Sequence, residues 1–265
     1  MNPAQPDMVR RSLLGLGLAA LAVGGRPAAA LGAPVGDAAF DRLLARYVRT
    51  GKDGINRVDY AVWRAAPADR ETLGGYIRTL QAVWPKILSE KQRMAFWINL
   101  YNAETLRVVL DAYPVRSIRA IRPTLVSVGP WKAKTLTVDG ERLSLDDIEN
   151  RILRGGFGDP RIHYALNCAS LGCPDLMART WRGDTLAVDL DRAARAYVNH
   201  PRGVRITPRG LVLSSIYRWY RTDFGGGDAA ILAHLATFAD PSLRAVLDSR
   251  PGIVGYDYDW SLNDV

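Results

Sequence analysis

The stretch SEKQRMAFWINLYNAETLRVVLDAYP, residues 89–114, decides the fold. Ser89 followed three residues later by Gln92 is the pattern of a capping box, which marks the start of a helix. The residues from Glu90 to about Ala112 are apolar on most sides, and Pro114 prevents the helix from continuing. The stretch therefore predicts a long, buried helix at the centre of the domain.

The segments around this helix predict an α+β fold without repeated βαβ units. We expect a single mainly helical domain with a small, mostly antiparallel sheet. The predicted elements are an amphipathic helix from Asp37 that ends at Gly51, a helix over 73–80, a hairpin of 136–138 with 141–143, a helix from Leu145 to Arg154, an alternating strand over 162–167, a helix over 186–198, a hairpin over 204–213, two short C-terminal helices and an aromatic segment over 256–260.

The composition is that of a globular protein. Of 265 residues, 48% are hydrophobic and 23% are charged, which supports a packed core and excludes a disordered, fibrous or multi-spanning membrane protein. The formal net charge is +8, but the arginines are spread along the chain instead of forming a run. We therefore expect no nucleic-acid partner. We expect the partner to be an unknown envelope peptide, glycan or protein.

The first thirty residues have the layout of an export signal. Arg10 and Arg11 precede an apolar run, and small residues offer a cleavage site after Ala30, with a second one after Ala33. The paired arginines suit the twin-arginine route. We therefore predict a signal peptide over 1–30, a linker over 31–36, one globular domain over 37–265, a periplasmic or otherwise exported location, and no stable transmembrane segment after signal removal.

Reactive side chains concentrate in the segment RIHYALNCASLGCP, residues 161–174. It holds both cysteines of the chain, Cys168 and Cys173, and one of its three histidines, His163. In one interpretation Cys168 is a nucleophile and His163 its base, because a thiol needs a neighbouring imidazole to become a thiolate near neutral pH. On an unbroken strand the two side chains would point to opposite faces. The strand must then break near Asn167, or another histidine, His200 or His234, must serve as the base.

Two other interpretations of the cysteines stay open. An even cysteine count in an oxidising compartment favours a Cys168–Cys173 disulfide, which would shape a short loop. A metal site with His163 lacks the close cysteine pair of common zinc sites, so we predict no metal and no cofactor. If Cys168 is the nucleophile, the candidates to stabilise an oxyanion are Asn167 and the backbone N–H groups of residues 169–171. Ser170 is then a candidate binding residue.

Three further polar positions are candidates. Asn99 and Asn102 lie one turn apart in the apolar central helix, so each either holds a backbone segment or belongs to a binding site. Glu149 is either a solvated carboxylate or the partner of His163. The run DFGGG, residues 223–227, resembles one kinase motif, but it lacks the accompanying kinase motifs and carries no prediction.

Several segments together resemble one family, the domain of unknown function 547. The resemblance covers most of the chain from about Asp37 and rests on segments in the order AFWINLYNAETLRVVL, GPWKAKTLTVDGERLSLDDIENRILR, DPRIHYALNCASLGCP, SSIYRWYRTDF and YDWSLN.

The family is similar to papain-like cysteine hydrolases, which implies Cys168 as nucleophile, His163 as base and Glu149 as the carboxylate that orients it. Many relatives have a histidine where this chain has Asn150. Two functions remain open: a cysteine-dependent hydrolase or acyltransferase acting on peptide or amide bonds, and a non-catalytic envelope binding module with a disulfide-shaped loop.

Overall fold

The central helix of the computed structural model, which describes residues 36–124 and 127–265, runs over Glu90–Ala112. Its capping box is present: the Ser89 side chain accepts from the Gln92 N–H, and the Gln92 side chain accepts from the Ser89 N–H. Every residue from 94 to 106 is buried. The prediction of a long, buried central helix is therefore confirmed.

The remaining elements surround this helix. The α-helices are α1 (Asp37–Tyr47), α2 (Tyr60–Arg64), α3 (Pro67–Gln81), α4 (Glu90–Ala112), α5 (Gly155–Phe157), α6 (Leu186–Val198), α7 (Ser215–Trp219), α8 (Asp228–Phe238) and α9 (Pro241–Asp248). The strands are β1 (Val48–Thr50), β2 (Asn56–Val58), β3 (Leu136–Val138), β4 (Glu141–Leu143), β5 (Val204–Thr207), β6 (Gly210–Ser214) and β7 (Ile253–Asp257). Short 3-10 helices cover Pro85–Ile87, Ile118–Ala120 and Pro160–Tyr164, and a π-helix covers Asp147–Arg154.

The strands form small sheets, which confirms the α+β class. β1 pairs with β2 and β3 with β4, both antiparallel. β6 lies between β5, to which it is antiparallel, and β7, to which it is parallel. Between β6 and its parallel neighbour β7 the chain forms α7, α8 and α9, so it returns to the sheet only after these three helices. This return brings the C-terminal segment after β7 beside the candidate site.

The prediction of a strand over residues 162–167 is wrong. The chain there begins with the 3-10 helix Pro160–Tyr164, whose first turn is capped by the Asp159 side chain accepting from the Arg161 N–H. All residues from 162 to 167 are buried. The alternating apolar pattern therefore did not mark one buried and one exposed face, which is what a period of two indicates in a strand.

The helix predicted from Leu145 to Arg154 is mostly a π-helix. The predicted cap is present, because the Asp147 carboxylate accepts from the Ser144 N–H at 2.8 Å. From Asp147 to Arg154 the helix is wound more widely than an α-helix. Such segments are rare and often lie at functional sites.

Two buried apolar clusters hold the described residues together. The larger one packs α1, α3 and the central helix against β3, β4 and the π-helix. The smaller one packs Tyr164 with α6, β6, α8 and α9. Among the described residues, none of the helices is both long enough and apolar enough to cross a bilayer. The predicted signal peptide, residues 1–30, lies outside the described residues, as does the predicted linker up to residue 35.

Candidate functional site

A cleft of about 530 Å³ brings together the reactive segment, the π-helix and the C-terminal aromatic segment. The side chains around it come from elements far apart in the sequence. The lining residues are Tyr101, Ser127, Val128, Gly129, Trp131, Lys132, Asp146, Glu149, Asn150, His163, Leu166, Cys168, Cys173, Pro174, Ile216, Trp219, Tyr220, Tyr258 and Trp260. Three predicted catalytic residues, Cys168, His163 and Glu149, thus lie at one cleft.

Aromatic rings make up one wall of the cleft. The ring centroids of Trp219 and Tyr258 are 4.8 Å apart, those of Tyr258 and Trp260 are 4.7 Å apart, and those of Trp131 and Trp260 are 5.9 Å apart. Trp219 is nevertheless 46% exposed. An aromatic wall that stays open to solvent offers a preformed apolar surface to a ligand.

The partner of His163 is Asp223, a pairing that the sequence did not predict. The 3-10 helix positions His163, and its Nε2 lies 2.8 Å from Asp223 Oδ2. The imidazole stacks on Tyr220, with centroids 4.1 Å apart, and Arg154 also donates to Asp223. The hydrogen bond from His163, supported by Arg154, holds the pKa of Asp223 below its ordinary value. Asp223 therefore remains a carboxylate that orients the ring.

The prediction that Glu149 partners His163 is wrong. Glu149 lies in the π-helix and accepts hydrogen bonds from Tyr101 at 3.0 Å and from Tyr220 at 2.5 Å. Burial, followed by the nearby carboxylate of Glu149, raises the pKa of both tyrosines. Both hydroxyls therefore keep their protons and donate to Glu149.

The structure pairs Cys168 with Cys173, with Cα atoms 6.3 Å apart. Cys168 is partly exposed at the cleft, whereas Cys173 is only 3% exposed. The hydroxyl of Tyr258 lies 3.2 Å from Cys168 Sγ and 3.0 Å from Cys173 Sγ. Ser170 donates to the Tyr258 hydroxyl at 3.0 Å, so the predicted binding residue Ser170 lies directly beside the cysteine pair.

The cysteine loop is held by amide side chains. Asn102 donates to the Ala165 carbonyl and accepts from the Asn167 N–H, both at 2.9 Å. The Asn167 side chain in turn donates to the Pro174 carbonyl and accepts from the Ala169 N–H. The central helix therefore fixes the loop through a chain of buried hydrogen bonds.

Asn99 makes the equivalent contact one turn earlier. Its side chain donates to the Trp181 carbonyl and accepts from the Trp181 N–H, both at 2.9 Å. Both Asn99 and Asn102 thus bind backbone groups. Of the two roles expected from the sequence, holding a backbone segment or belonging to a binding site, the structure shows the first. Neither is among the residues lining the cleft.

Three of the candidate oxyanion donors are already engaged. The N–H of Ala169 donates to the Asn167 side chain, and the N–H of Leu171 donates to the Ser261 carbonyl at 2.9 Å. The Asn167 amide nitrogen donates to the Pro174 carbonyl at 2.8 Å. An oxyanion at any of these three donors would have to displace a hydrogen bond.

Charged groups of both signs line the cleft: the carboxylates of Asp146 and Glu149 and the ammonium group of Lys132. Asn150 donates to Asp146 and accepts from Arg154. Within residues 36–124 and 127–265, no group of three or more His, Cys, Asp or Glu side chains is arranged to hold a metal ion.

The family match covers one part of this site. Residues 85–198 match the family model described as protein of unknown function, DUF547. That segment includes His163 and both cysteines, whereas Asp223 and Tyr258 follow it. No curated protein and no solved structure matches the chain. Residues 85–198 are therefore similar to the DUF547 family, in agreement with the resemblance expected from the sequence.

Proposed function

We propose that the protein is an exported envelope protein that binds a peptide or glycan ligand in the aromatic cleft without cleaving it. The observation that carries this proposal is the open aromatic wall formed by Trp219, Tyr258, Trp260 and Trp131. The cleft volume of about 530 Å³ is in the range of ligand-binding sites, which are commonly lined by aromatic side chains with a few polar groups.

The polar groups of the cleft suit a ligand with both donors and acceptors. Asp146 and Glu149 offer carboxylate oxygens, and Lys132 offers an ammonium group on the same cleft. Peptide and sugar units present donors, acceptors and an apolar face together. The pairing of Cys168 with Cys173 and the engaged N–H groups beside it support a shaped binding loop over a resting thiol enzyme.

The envelope location is proposed from the sequence. The export-signal layout over residues 1–30 supports it, and a disulfide persists in an oxidising compartment such as the periplasm.

Tryptophan fluorescence tests the binding proposal, because three tryptophans line the cleft. Envelope peptide fragments and oligosaccharide fragments are titrated separately into the oxidised protein. We expect saturable quenching by one class, and a Kd at least about tenfold weaker in Trp219→Ala, which corresponds to about 1.4 kcal/mol. Trp84→Ala is the matched control, because Trp84 is 52% exposed and does not line the cleft.

If no fragment of either class saturates the signal, the binding proposal fails. It also fails if Trp219→Ala and Trp84→Ala bind as tightly as the original protein.

A cysteine-dependent hydrolase or acyltransferase is the second candidate, and one observation favours it. His163 carries an oriented imidazole through Asp223, and both His163 and Cys168 line the same cleft. In this function an external thiol reduces the disulfide, His163 removes the proton of the Cys168 thiol, and the thiolate attacks a peptide or amide carbonyl. The C–N bond then breaks, the amine leaves with the proton held by His163, and water or another nucleophile takes the acyl group from Cys168.

Electrophile labelling after reduction tests the second candidate. We expect Cys168 to react faster than Cys173 near neutral pH, and His163→Ala to slow the labelling of Cys168. A reduced Cys168 that reacts no faster than a model thiol and does not respond to His163→Ala contradicts the enzymatic function.

A further inference from the structure

We propose that the Cys168–Cys173 disulfide exchanges with thiols in the cleft and oxidises a dithiol of a cysteine-containing peptide. This activity goes beyond ligand binding, because the protein disulfide is itself a reactant. It rests on three features of the described residues: the unequal exposure of the two sulfurs, the donors around them and the small loop that they close.

The cleft gives an incoming thiolate access to one sulfur. Both cysteines line the cleft, but Cys168 is partly exposed, whereas Cys173 is only 3% exposed. Exchange requires attack along an accessible path to a sulfur. The structure therefore assigns Cys168 as the attacked sulfur and Cys173 as the leaving sulfur.

Two hydrogen-bond donors lie 3.0 Å from the leaving sulfur, and a third, the Ser170 hydroxyl, lies 3.5 Å from it. The Cys168 N–H donates to Cys173 Sγ at 3.0 Å, and the Tyr258 hydroxyl lies 3.0 Å from the same atom. Because a disulfide sulfur has no proton, Tyr258 is the donor in the oxidised protein. The Ser170 hydroxyl supports both contacts: it donates its proton either to the Tyr258 oxygen at 3.0 Å, which directs the Tyr258 proton to sulfur, or to Cys173 Sγ itself.

These donors favour the reduced protein. A thiolate accepts hydrogen bonds more strongly than a neutral disulfide sulfur, because bonds to an ionised acceptor are stronger. Donors held in place before the reaction therefore stabilise the Cys173 thiolate more than the disulfide. This raises the tendency of the protein to accept electrons, as in disulfides whose reduced form is stabilised.

The disulfide has little to contribute as a structural crosslink. The two cysteines are separated by five positions, so their bond closes a small loop and removes little conformational entropy from the unfolded chain. The loop is also held by Asn102 and Asn167 through hydrogen bonds that do not involve sulfur. The loop geometry therefore has support that persists when the disulfide is reduced.

The exchange proceeds in two balanced steps. A peptide thiolate attacks Cys168 Sγ, a peptide–Cys168 disulfide forms, and the Cys168–Cys173 bond breaks as Cys173 leaves with the electron pair. A second thiolate of the same peptide then attacks the peptide sulfur of the mixed disulfide and releases the Cys168 thiolate. The peptide dithiol is oxidised to a disulfide with loss of two protons, and the protein disulfide is reduced by two electrons to a dithiol.

Redox equilibration with glutathione measures this activity directly. The full protein is incubated in buffers of varied reduced and oxidised glutathione, and the reduced fraction is measured by mass spectrometry after acid quenching and alkylation. Tyr258→Phe removes the hydroxyl donor, and we expect its equilibrium to shift about tenfold toward the disulfide, equivalent to about 30 mV for two electrons. Ser170→Ala is expected to shift the equilibrium in the same direction, and Tyr256→Phe, the matched control, to leave it unchanged.

Single-cysteine variants test the assignment of the sulfurs. Cys173→Ser is expected to capture oxidised glutathione at Cys168, and Cys168→Ser to react at least about tenfold more slowly at its buried thiol. The inference is overturned if neither Tyr258→Phe nor Ser170→Ala shifts the equilibrium, or if Cys173 is captured as fast as Cys168. Such a result would leave ligand binding by the cleft untouched, so the two proposals fail separately.

Discussion

Asn102→Leu is expected to destabilise the protein and to loosen the cysteine loop. The substitution leaves two buried backbone groups without their partner, the Ala165 carbonyl and the Asn167 N–H, each bonded at 2.9 Å. An unpaired buried group costs about 1–3 kcal/mol, and the apolar leucine offsets a part of this cost, so the free energy of unfolding is expected to fall by about 2–4 kcal/mol.

Asn99→Leu provides a matched comparison, because Asn99 also makes two backbone bonds at 2.9 Å, both to Trp181. In urea, with an m-value of about 2–3 kcal/mol per M, both variants are expected to lower the unfolding midpoint by roughly 1 M. Only Asn102→Leu is expected to change the cysteine loop, because Asn102 alone binds the backbone of Asn167 directly before Cys168.

The assay therefore combines a urea titration of the oxidised protein with the rate at which dithiothreitol reduces the cysteine pair under native conditions. Asn102→Leu is expected to be reduced several-fold faster than Asn99→Leu, since local loosening gives the reductant better access. Unchanged midpoints in both variants would refute the structural role of the two amides. Equal reduction rates at equal stability loss would refute the coupling between the central helix and the loop.

Three further predictions concern titration and backbone packing. Hydrogen bonding from His163 lowers the pKa of Asp223, so its stabilising contribution is present above about pH 4 and lost as the pH falls; thermal unfolding of Asp223→Asn should show a weaker decline in acid. Burial lowers the pKa of His234 to about 4, so the unfolded chain binds more protons between pH 4 and 6.5. Between these pH values, acidification should therefore destabilise His234→Gln by about 2 kcal/mol less than the original protein. This value allows for the partial exposure of the ring. Gly172→Ala should lower the urea midpoint, because a Cβ there would lie 2.8 Å and 2.9 Å from two backbone atoms of the C-terminal segment, whereas Gly156→Ala, with nothing within 4 Å, should not.

Local signals in the sequence predicted the elements that depend on them. The Ser89 cap and Pro114 bounded the central helix, and the Asp139–Gly140 turn marked the hairpin of β3 and β4. These features act over a few residues, so the sequence displays them directly. The segment 162–167 differed because both of its faces are buried, and its alternation of residue types carried no information on exposure.

The site was predictable only in part, for a related reason. His163 and the cysteines lie within one short segment, and their rarity made them visible. Asp223 lies 60 positions from His163, and its approach depends on the turn after α7 packing beside the 3-10 helix. Glu149 was placed beside His163 by analogy, but the π-helix directs it to Tyr101 and Tyr220.

The redox state of the cysteines tests the account most directly. The exported protein is alkylated under denaturing conditions with and without prior reduction, and each cysteine is quantified by mass spectrometry. We expect that neither Cys168 nor Cys173 is labelled before reduction and that both are labelled after it, because the two are paired in the structure. Labelling of Cys168 without reduction would contradict the disulfide-shaped cleft and favour a resting thiol enzyme.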